Sequence, residues 1–252
     1  MGVPTLGCGC AVCTSRDPHD RRLRPSVLLR WKDAGPLERA VVIDTGPDFR
    51  EQALRAGLVR VDAVFYTHAH ADHIFGMDDL RPLSFAAHRE NGGPIPLYAA
   101  PETAEVLRRV YEYTFSPDAT YPTRARVRLE PLHERTTVHG VAFLRVPVVH
   151  GKQSITGFRF GSAAYFTDVS EIPEPSFSLL HGLDVLVLSA LRHKPHPSHA
   201  TLEQAVGWAR RIGARQTWLT HIAHDLGHED TNRNLPENIR LAYDGLSVPV
   251  NL

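Results

Sequence analysis

The stretch Thr67-His68-Ala69-His70-Ala71-Asp72-His73 places four potential metal ligands within six residues. It follows directly on a short apolar run, which is typical of a buried strand. Side chains alternate along an extended segment, so His68 and His70 point to the same side and can reach one cation. If the chain then turns into a helix, Asp72 and His73 swing toward a second cation. A solvated histidine-rich loop is the alternative, and the preceding buried strand argues against it.

The amino-acid composition limits the classes of protein to which this chain can belong. The 252 residues allow one large domain or two small ones. The 28 Lys and Arg residues balance the 28 Asp and Glu residues, so no net charge attracts the chain to nucleic acid or to an acidic membrane. No apolar stretch approaches the roughly 18 residues that span a bilayer, and the amino end shows no secretory signal. We therefore expect a soluble cytoplasmic protein with no membrane partner and no nucleic-acid-binding arm.

Short apolar runs between Pro and Gly residues predict mostly strands along the chain. Helices are predicted at 101–110, with Pro in the first turn, and at 201–212, with apolar residues at helical spacing. Strands are predicted at 26–31, 39–44, 61–66, 95–99, 127–130, 141–149, 156–160, 163–166, 184–189 and 216–219, with a turn at 32–36. Strands with interspersed helices indicate sheets covered by helices.

Three further polar residues stand at the ends of later predicted strands. They are His150, Asp168 and His221. Each is a hard or borderline metal ligand where a buried strand emerges into a loop, which is where sites usually form. Alone, each could be a structural or a surface residue. Beside the first cluster, they supply the ligands that a binuclear site would still need.

The chain has three cysteines, and all of them fall within six residues: Cys8, Cys10 and Cys13. An odd number at this spacing does not make a disulfide framework, and a reducing cytosol would not favour one. Clustered thiols in such a compartment are typical of metal ligands. The alternative is three reduced thiols without a metal, which would oxidise readily if they were exposed.

The order of these residues resembles the metallo-β-lactamase superfamily, whose signature is H-x-H-x-D-H. The segment Val42-Ile43-Asp44-Thr45-Gly46 is similar to the strand-end I-D-x-G segment of that family, so the likeness covers nearly the whole chain. The resemblance implies an α/β fold (α+β in some schemes): a four-layer αββα sandwich of two mixed sheets flanked by helices. It also implies a single domain, 1–252.

The resemblance further implies two divalent ions, Zn²⁺ or Mn²⁺, held by imidazole and carboxylate ligands, whose chemistry accepts several metals. The ligands would be His68, His70 and His150 for one ion, Asp72, His73 and His221 for the other, and Asp168 as a bridge. Asp44 would support the site by orienting ligands.

The cysteine segment narrows the resemblance. Gly7-Cys8-Gly9-Cys10-Ala11-Val12-Cys13 is similar to the G-C-x-C-x-x-C element of the phosphoribosyl 1,2-cyclic phosphate phosphodiesterases, accessory enzymes of the carbon–phosphorus lyase pathway. In that branch, the thiolates share a structural zinc with a histidine three residues past the last catalytic one. His224 stands there, so the structural Zn²⁺ of a knot at 7–14 would be held by Cys8, Cys10, Cys13 and His224. Relatives carry a strand before Gly-Val-Pro, so we expect either a start upstream of Met1 or a chain without that strand.

One more histidine fits the branch. His199, in the segment Pro197-Ser198-His199-Ala200-Thr201-Leu202, resembles the histidine that acts there as general acid or binds phosphate. An ordinary histidine near a helix start is the alternative, and His193 and His196 are competitors for the role.

Together, these likenesses predict a binuclear metal-dependent cyclic phosphodiesterase. Hydroxide held between the metals would attack the phosphorus of 5-phosphoribosyl 1,2-cyclic phosphate or of a 2′,3′-cyclic nucleotide. His199 would protonate the leaving oxygen, and Asp72 would bind metal and orient the attacking water. The partner would be a small phosphodiester, and a homodimer is compatible with the sequence.

Three other functions are also compatible with these residues. Two are hydrolytic: a tRNA 3′-processing nuclease, and a thioester or lactam hydrolase. The third is a non-catalytic metal-binding protein of a pathway, and the filled ligand positions argue against it.

Overall fold

The computed structural model describes residues 2–33, 35, 37–117, 121 and 123–252. Contacts within the chain divide it into two units. The central unit is Pro25–Gly140, and the terminal unit combines Met1–Arg24 with Val141–Leu252. The predicted turn at 32–36 lies partly outside the described residues.

The central unit alternates strands and helices. Its elements are β1 (Val27–Lys32), β2 (Glu38–Ile43), α1 (Phe49–Arg55), β3 (Ala63–Phe65), α2 (Ala71–Ile74), α3 (Arg81–Asn91), β4 (Ile95–Ala99), α4 (Pro101–Val110), α5 (Glu112–Phe115), β5 (Val127–Pro131) and β6 (Arg135–Val138). Five strands form a sheet in the order β1-β2-β3-β4-β5. β1 is antiparallel to β2, and the other neighbours pair in parallel.

Parallel neighbours require crossover connections, and the helices between the strands supply them. Their apolar faces and the sheet enclose one core, whose fully buried members include Tyr66, Ile74, Met77, Leu80 and Leu97. Because β2 and β3 run in the same direction, their carboxyl ends lie at one edge of the sheet. The residues that follow these two strands are therefore brought close together, which is where ligands bind in open α/β sheets.

The terminal unit has its own sheet and core. Its elements are β7 (Val141–His150), β8 (Gln153–Phe160), β9 (Ala163–Phe166), α6 (Glu174–Phe177), β10 (Val185–Ser189), α7 (Leu202–Ile212), β11 (Gln216–Thr220), α8 (His228–Asn234) and β12 (Ile239–Leu241). The strand order runs β12-β11-β10-β9-β8-β7. β8 is antiparallel to both β7 and β9, and β9 to β12 pair in parallel. β7, β9, β10 and β11 therefore all end at the same edge.

The predicted elements agree well with the structure. The strand at 95–99 and the helix at 101–110 have the predicted bounds. The helix predicted at 201–212 begins one residue later, because Thr201 is its N-cap and forms a capping box with Gln204. The strand predicted at 61–66 is shorter, and the one predicted at 156–160 starts at Gln153. Among the described residues, no helix is both long and apolar enough to cross a membrane.

One position in the terminal unit accepts only glycine, because β8 and β9 approach each other closely there. A Cβ on Gly157, in β8, would lie 2.0 Å from Cδ1 of the Phe166 ring, in β9. Phe166 is fully buried, so its ring can move away only by displacing neighbouring core side chains. Gly207, inside α7, has no atom near its Cβ position. The two glycines therefore differ in what they contribute to stability.

We expect Gly157→Ala to lower the free energy of unfolding by about 1–3 kcal/mol, because the added methyl group overpacks the sheet. The matched control, Gly207→Ala, should instead raise it by about 0.5–1 kcal/mol, because alanine is favoured inside a helix. Urea unfolding of the metal-loaded protein measures both. Equal effects of the two substitutions would contradict this interpretation of the β8–β9 contact.

Candidate metal centre and cysteine cluster

The carboxylate of Asp44 forms the hydrogen bonds that hold the histidine segment of the central unit, residues 67–73, in place. This residue follows β2 with a φ of +62° and is fully buried. Oδ1 accepts a hydrogen bond from the backbone N–H of Thr67, at 2.8 Å. Oδ2 accepts one from the Thr67 hydroxyl, at 2.7 Å, and one from Nδ1 of His73, at 2.8 Å. These donors compensate for burying the negative charge.

The same bonds determine which ring nitrogen carries the proton on two histidines. Since the Thr67 hydroxyl gives its proton to Asp44, it can only accept from Nδ1 of His68, which lies 3.0 Å away. His68 therefore presents an unprotonated Nε2. His73 donates from Nδ1 to Asp44 and likewise presents Nε2. A hydrogen-bonded Nδ1–H opposite a ligating nitrogen is the usual arrangement of a metal-binding histidine.

The backbone around α2 directs the remaining side chains. His70 is extended, and α2 begins directly after it. Nε2 of His68 lies 3.0 Å from Nδ1 of His70, and Nε2 of His73 lies 3.8 Å from Oδ2 of Asp72. The predicted turn into a helix therefore separates the segment into two pairs of candidate ligands. His70 is exposed and Asp72 is half-buried, so solvent reaches both pairs.

Gly76 holds α2 against the loop after β2. Its N–H donates to the carbonyl of Thr45, at 2.8 Å, and the N–H of Thr45 donates to the carbonyl of His73, also at 2.8 Å. A Cβ on Gly76 would lie 2.1 Å from the carbonyl oxygen of Gly46. Only glycine allows this approach, which keeps His73 at Asp44.

In the terminal unit, the carboxylate of Asp168 is the meeting point of the predicted ligands. Its Oδ1 accepts a hydrogen bond from the hydroxyl of Thr167, at 2.6 Å. Its Oδ2 lies 3.3 Å from Nε2 of His221 and 4.0 Å from Nε2 of His150. Asp168 and His221 have φ values of +58° and +54°, and each lies just after the end of a parallel strand. Their left-handed backbone is a strained conformation of the kind that occurs at functional sites.

His150 is oriented by a backbone group. Its Nδ1 lies 2.6 Å from the carbonyl oxygen of Ser198, which can only accept, so Nδ1 carries the proton. Nε2 is thereby presented toward Asp168. His150, Asp168 and His221 are all buried, and such a set of polar groups is favourable only when it is hydrogen-bonded or binds a cation.

The distances between neighbouring candidate ligand atoms are those expected of two ligands that bind the same cation. Two ligands at about 2.1 Å from a tetrahedral ion lie roughly 3.4 Å apart. The pairs within each unit lie between 3.0 and 4.0 Å apart. Imidazole nitrogens and carboxylate oxygens suit Zn²⁺ and Mn²⁺ alike.

His199 belongs to the same group in the terminal unit. Its ring lies 4.6 Å from that of His150 and stacks on that of His221 at 4.8 Å, measured between centroids. Its side chain is 13% exposed, and Nδ1 lies 3.9 Å from Oδ2 of Asp168. Burial, followed by the effect of His221, lowers the pKa of His199 to about 3, so its ring is neutral at pH 7. Of the competing histidines, His196 lies beside it, with ring centroids 4.9 Å apart, and His193 is exposed.

The four predicted residues of the cysteine knot come together in the terminal unit. Nδ1 of His224 lies 3.2 Å from Sγ of Cys8, 3.5 Å from that of Cys10 and 3.4 Å from that of Cys13. A tetrahedral zinc with Zn–S near 2.3 Å and Zn–N near 2.0 Å places these atoms about 3.5 Å apart. The cluster therefore has the dimensions of a Cys₃His zinc site.

The electrostatics of the cluster also suit a metal. The backbone N–H of Cys13 donates to Sγ of Cys10, at 3.4 Å, and this bond is the main reason that the pKa of Cys10 is lowered to about 6. Cys10 is therefore largely a thiolate at neutral pH. Thiolate is the form that binds metal.

The sequence does not indicate two residues that orient candidate ligands. The Thr67 hydroxyl determines the protonation of His68, and the Ser198 carbonyl determines that of His150. Nothing in a sequence singles out one backbone carbonyl. For Thr67, the only signal was a hydroxyl residue directly before the first histidine.

Comparisons with known proteins agree with this geometry. Residues 39–222 match the family model of the Beta-lactamase superfamily domain, and this range contains every predicted ligand of the binuclear centre. The crystal structure of a new diphosphatase from the PhnP family is 53% identical, covers 100% of this chain and 94% of that chain, and has a TM-score of 0.91. These two matches confirm the resemblance predicted from the sequence. They also confirm the fold class, in which two mixed sheets are flanked by helices.

Two curated relatives extend the comparison. An octanoyltransferase of Porphyromonas gingivalis is 36% identical over 99% of this chain, although the chain spans only about half of it, 49%. Ribonuclease Z of Mycobacterium bovis is 26% identical, over 90% of this chain and 88% of that protein.

We expect Cys10→Ser to release one zinc ion per chain and to lower the Tm, because the binding energy of a structural metal contributes to folding. Thr14→Ala removes only a hydroxyl that donates to the carbonyl of Cys10 and serves as the control. Metal content by mass spectrometry and thermal unfolding measure the two effects. If Cys10→Ser kept its full metal content and its Tm, the cysteine cluster would not be a structural metal site.

Proposed function

The chain belongs to the beta-lactamase superfamily and, within it, to the PhnP family, and from this premise we propose that it is a binuclear metal-dependent hydrolase of cyclic phosphodiesters. That it is a hydrolase of this superfamily follows from its relatives. The finer proposal concerns the metals, the reaction and the substrate. The substrate would be 5-phosphoribosyl 1,2-cyclic phosphate or a 2′,3′-cyclic nucleotide, as the resemblance of the cysteine segment implies.

One observation supports the proposal above the others: His68, His73 and His150 each hold a hydrogen bond at Nδ1 that leaves Nε2 as a ligand nitrogen. Histidines without a metal role have no need for this uniform orientation. By the resemblance, one cation would be held by His68, His70 and His150 and the other by Asp72, His73 and His221, with Asp168 as a shared ligand. When bound, the two ions would supply an activated water and offset the negative charge that develops on the phosphoryl oxygens.

The protein's own groups would carry the remaining chemistry. Asp72 is half-buried at the start of α2, where its carboxylate can bind metal with one oxygen and orient the attacking water with the other. His199 would give a proton to the leaving oxygen. Its ring is neutral in the resting protein, and a bound phosphoryl anion would favour its protonated form.

A second candidate is the hydrolysis of a diphosphate. The 53% identical relative is described as a diphosphatase, and a diphosphate offers the same kind of phosphorus centre with phosphate as the leaving group. This reaction would use the same ligands. Phosphate is a better leaving group than a sugar oxygen, so the hydrolysis of a diphosphate would depend less on His199.

A substrate panel tests the proposal. The metal-loaded protein is given a 2′,3′-cyclic nucleotide, 5-phosphoribosyl 1,2-cyclic phosphate, an organic diphosphate, an acyl thioester and a precursor tRNA, and its metal content is measured in the same preparation. We expect the highest kcat/KM for one of the two cyclic esters, with two metals per chain beyond the cysteine-bound one. Preference for the diphosphate would favour the second candidate. Turnover of only the thioester or the tRNA would refute both.

His199→Ala should lower kcat/KM for cyclic esters by about 100-fold or more, because general acid catalysis contributes this much when the leaving group is poor. Bis-p-nitrophenyl phosphate has a good leaving group and should lose much less. His181→Ala, an exposed histidine of the terminal unit, is the control. Equal losses on both substrates would show that His199 is not the acid.

A further inference from the structure

Ser198, in the loop between β10 and α7, contacts two histidines and orients them in opposite ways. The backbone N–H of Ser198 donates to Nδ1 of His196, at 3.3 Å, and the Ser198 hydroxyl lies 3.2 Å from the same nitrogen. A nitrogen that accepts a backbone N–H holds a lone pair and no proton. In neutral His196, the proton is therefore on Nε2.

His150 has the reverse arrangement, with the proton on Nδ1, and the same residue is the cause. Ser198 accepts from His150 through its carbonyl oxygen and donates to His196 through its N–H. One residue thus turns His150 into a ligand with an unprotonated Nε2 and turns His196 into a donor with a protonated Nε2. A metal ligand needs the first form, whereas binding an anion needs the second.

Hydrogen bonds within the loop hold it in this conformation. Arg192 donates from Nε to the carbonyl of Lys194, at 3.2 Å, and from Nη2 to the carbonyl of Pro195, at 3.1 Å. The N–H of Leu191 donates to the carbonyl of Ala200, at 3.0 Å, which closes the loop at its base. Gly151 packs beneath it, since a Cβ there would lie 3.2 Å from that of Ser198.

The position of His196 suits contact with a substrate. Its ring lies 4.9 Å from that of His199, which in turn stacks on the predicted metal ligand His221. It is half-buried and therefore open to solvent on one side. Burial, followed by the charge of Arg192, lowers the pKa of His196, in keeping with a neutral ring.

We propose that His196 binds a phosphoryl oxygen of the substrate through Nε2–H, and that Ser198 is the residue that positions it. The inference rests on the proposed phosphodiesterase function and adds a role distinct from that of His199. His196 is a neutral donor that holds the anion in place and gives up no proton. The ligand chemistry is that of a phosphate mono- or diester.

Leaving-group dependence separates the two histidines. His196→Ala should lower kcat/KM by about 10- to 100-fold, the usual effect of losing a hydrogen bond to a charged group. The loss should be equal for a 2′,3′-cyclic nucleotide and for bis-p-nitrophenyl phosphate, because no proton transfer is involved. His196→Gln, whose Nε2 amide can replace the donor, should recover most of the activity. His196→Asn, which is one bond shorter, should not.

Metal content and His181→Ala serve as controls, and both should match the wild type. An active wild type whose His196→Ala variant keeps full activity would overturn the role of His196 and leave the proposed function intact. A loss confined to the poor leaving group would make His196 an acid and would also overturn the proposal. A wild type without phosphodiesterase activity would instead refute the proposed function itself.

A spectroscopic measurement tests the orientation independently of turnover. In the metal-loaded protein with ¹⁵N-labelled histidine, long-range ¹H–¹⁵N correlation should show His196 with an unprotonated Nδ1 and a protonated Nε2. The signal is assigned by its disappearance in His196→Gln. The opposite tautomer would overturn the positioning role of Ser198.

Discussion

The buried carboxylate of Asp44 is the group on which the histidine segment depends. A desolvated anion is stable only where hydrogen-bond donors surround it, and Thr67 and His73 supply them. These donors come from the segment that follows β3, so compensating the charge also fixes the conformation of that segment. The hydrogen bonds that compensate the buried charge of Asp44 therefore also orient the Nε2 atoms of His68 and His73, the candidate ligand atoms. Neither the compensation nor the orientation could be altered without altering the other.

In the terminal unit, neutral groups orient the candidate ligands instead of a buried carboxylate. A backbone carbonyl, that of Ser198, orients His150, and a hydroxyl, that of Thr167, holds one oxygen of Asp168. In both units, the candidate ligands follow the carboxyl ends of strands that run in the same direction. The sheet topology thus gathers residues that are far apart in the chain. Local hydrogen bonds then decide which atom of each residue is available for chemistry.

The sequence allowed much of this to be predicted, for identifiable reasons. The strand at 95–99 and the helix at 101–110 are bounded by local signals, including the proline that starts the helix. The candidate ligands could be identified because metal binding demands particular residue types. In contrast, the sequence analysis did not predict α1, α3 or α8, because α1 and α8 are short and polar and α3 has no strong apolar stripe. The roles of Thr67 and Ser198 depend on distances that no residue type encodes.

Among the described residues, four that are not glycine have a positive φ, and three of them are Asp44, Asp168 and His221. This conformation costs roughly 1–2 kcal/mol for a residue with a side chain, and glycine would relieve the cost. At these three Cα atoms, glycine would be the least strained residue, but it lacks the carboxylate or imidazole on which the proposed site depends. A glycine at Asp168 or His221 would therefore relieve backbone strain and remove a proposed ligand in the same step. At these positions, the most stable backbone and a complete proposed site are mutually exclusive.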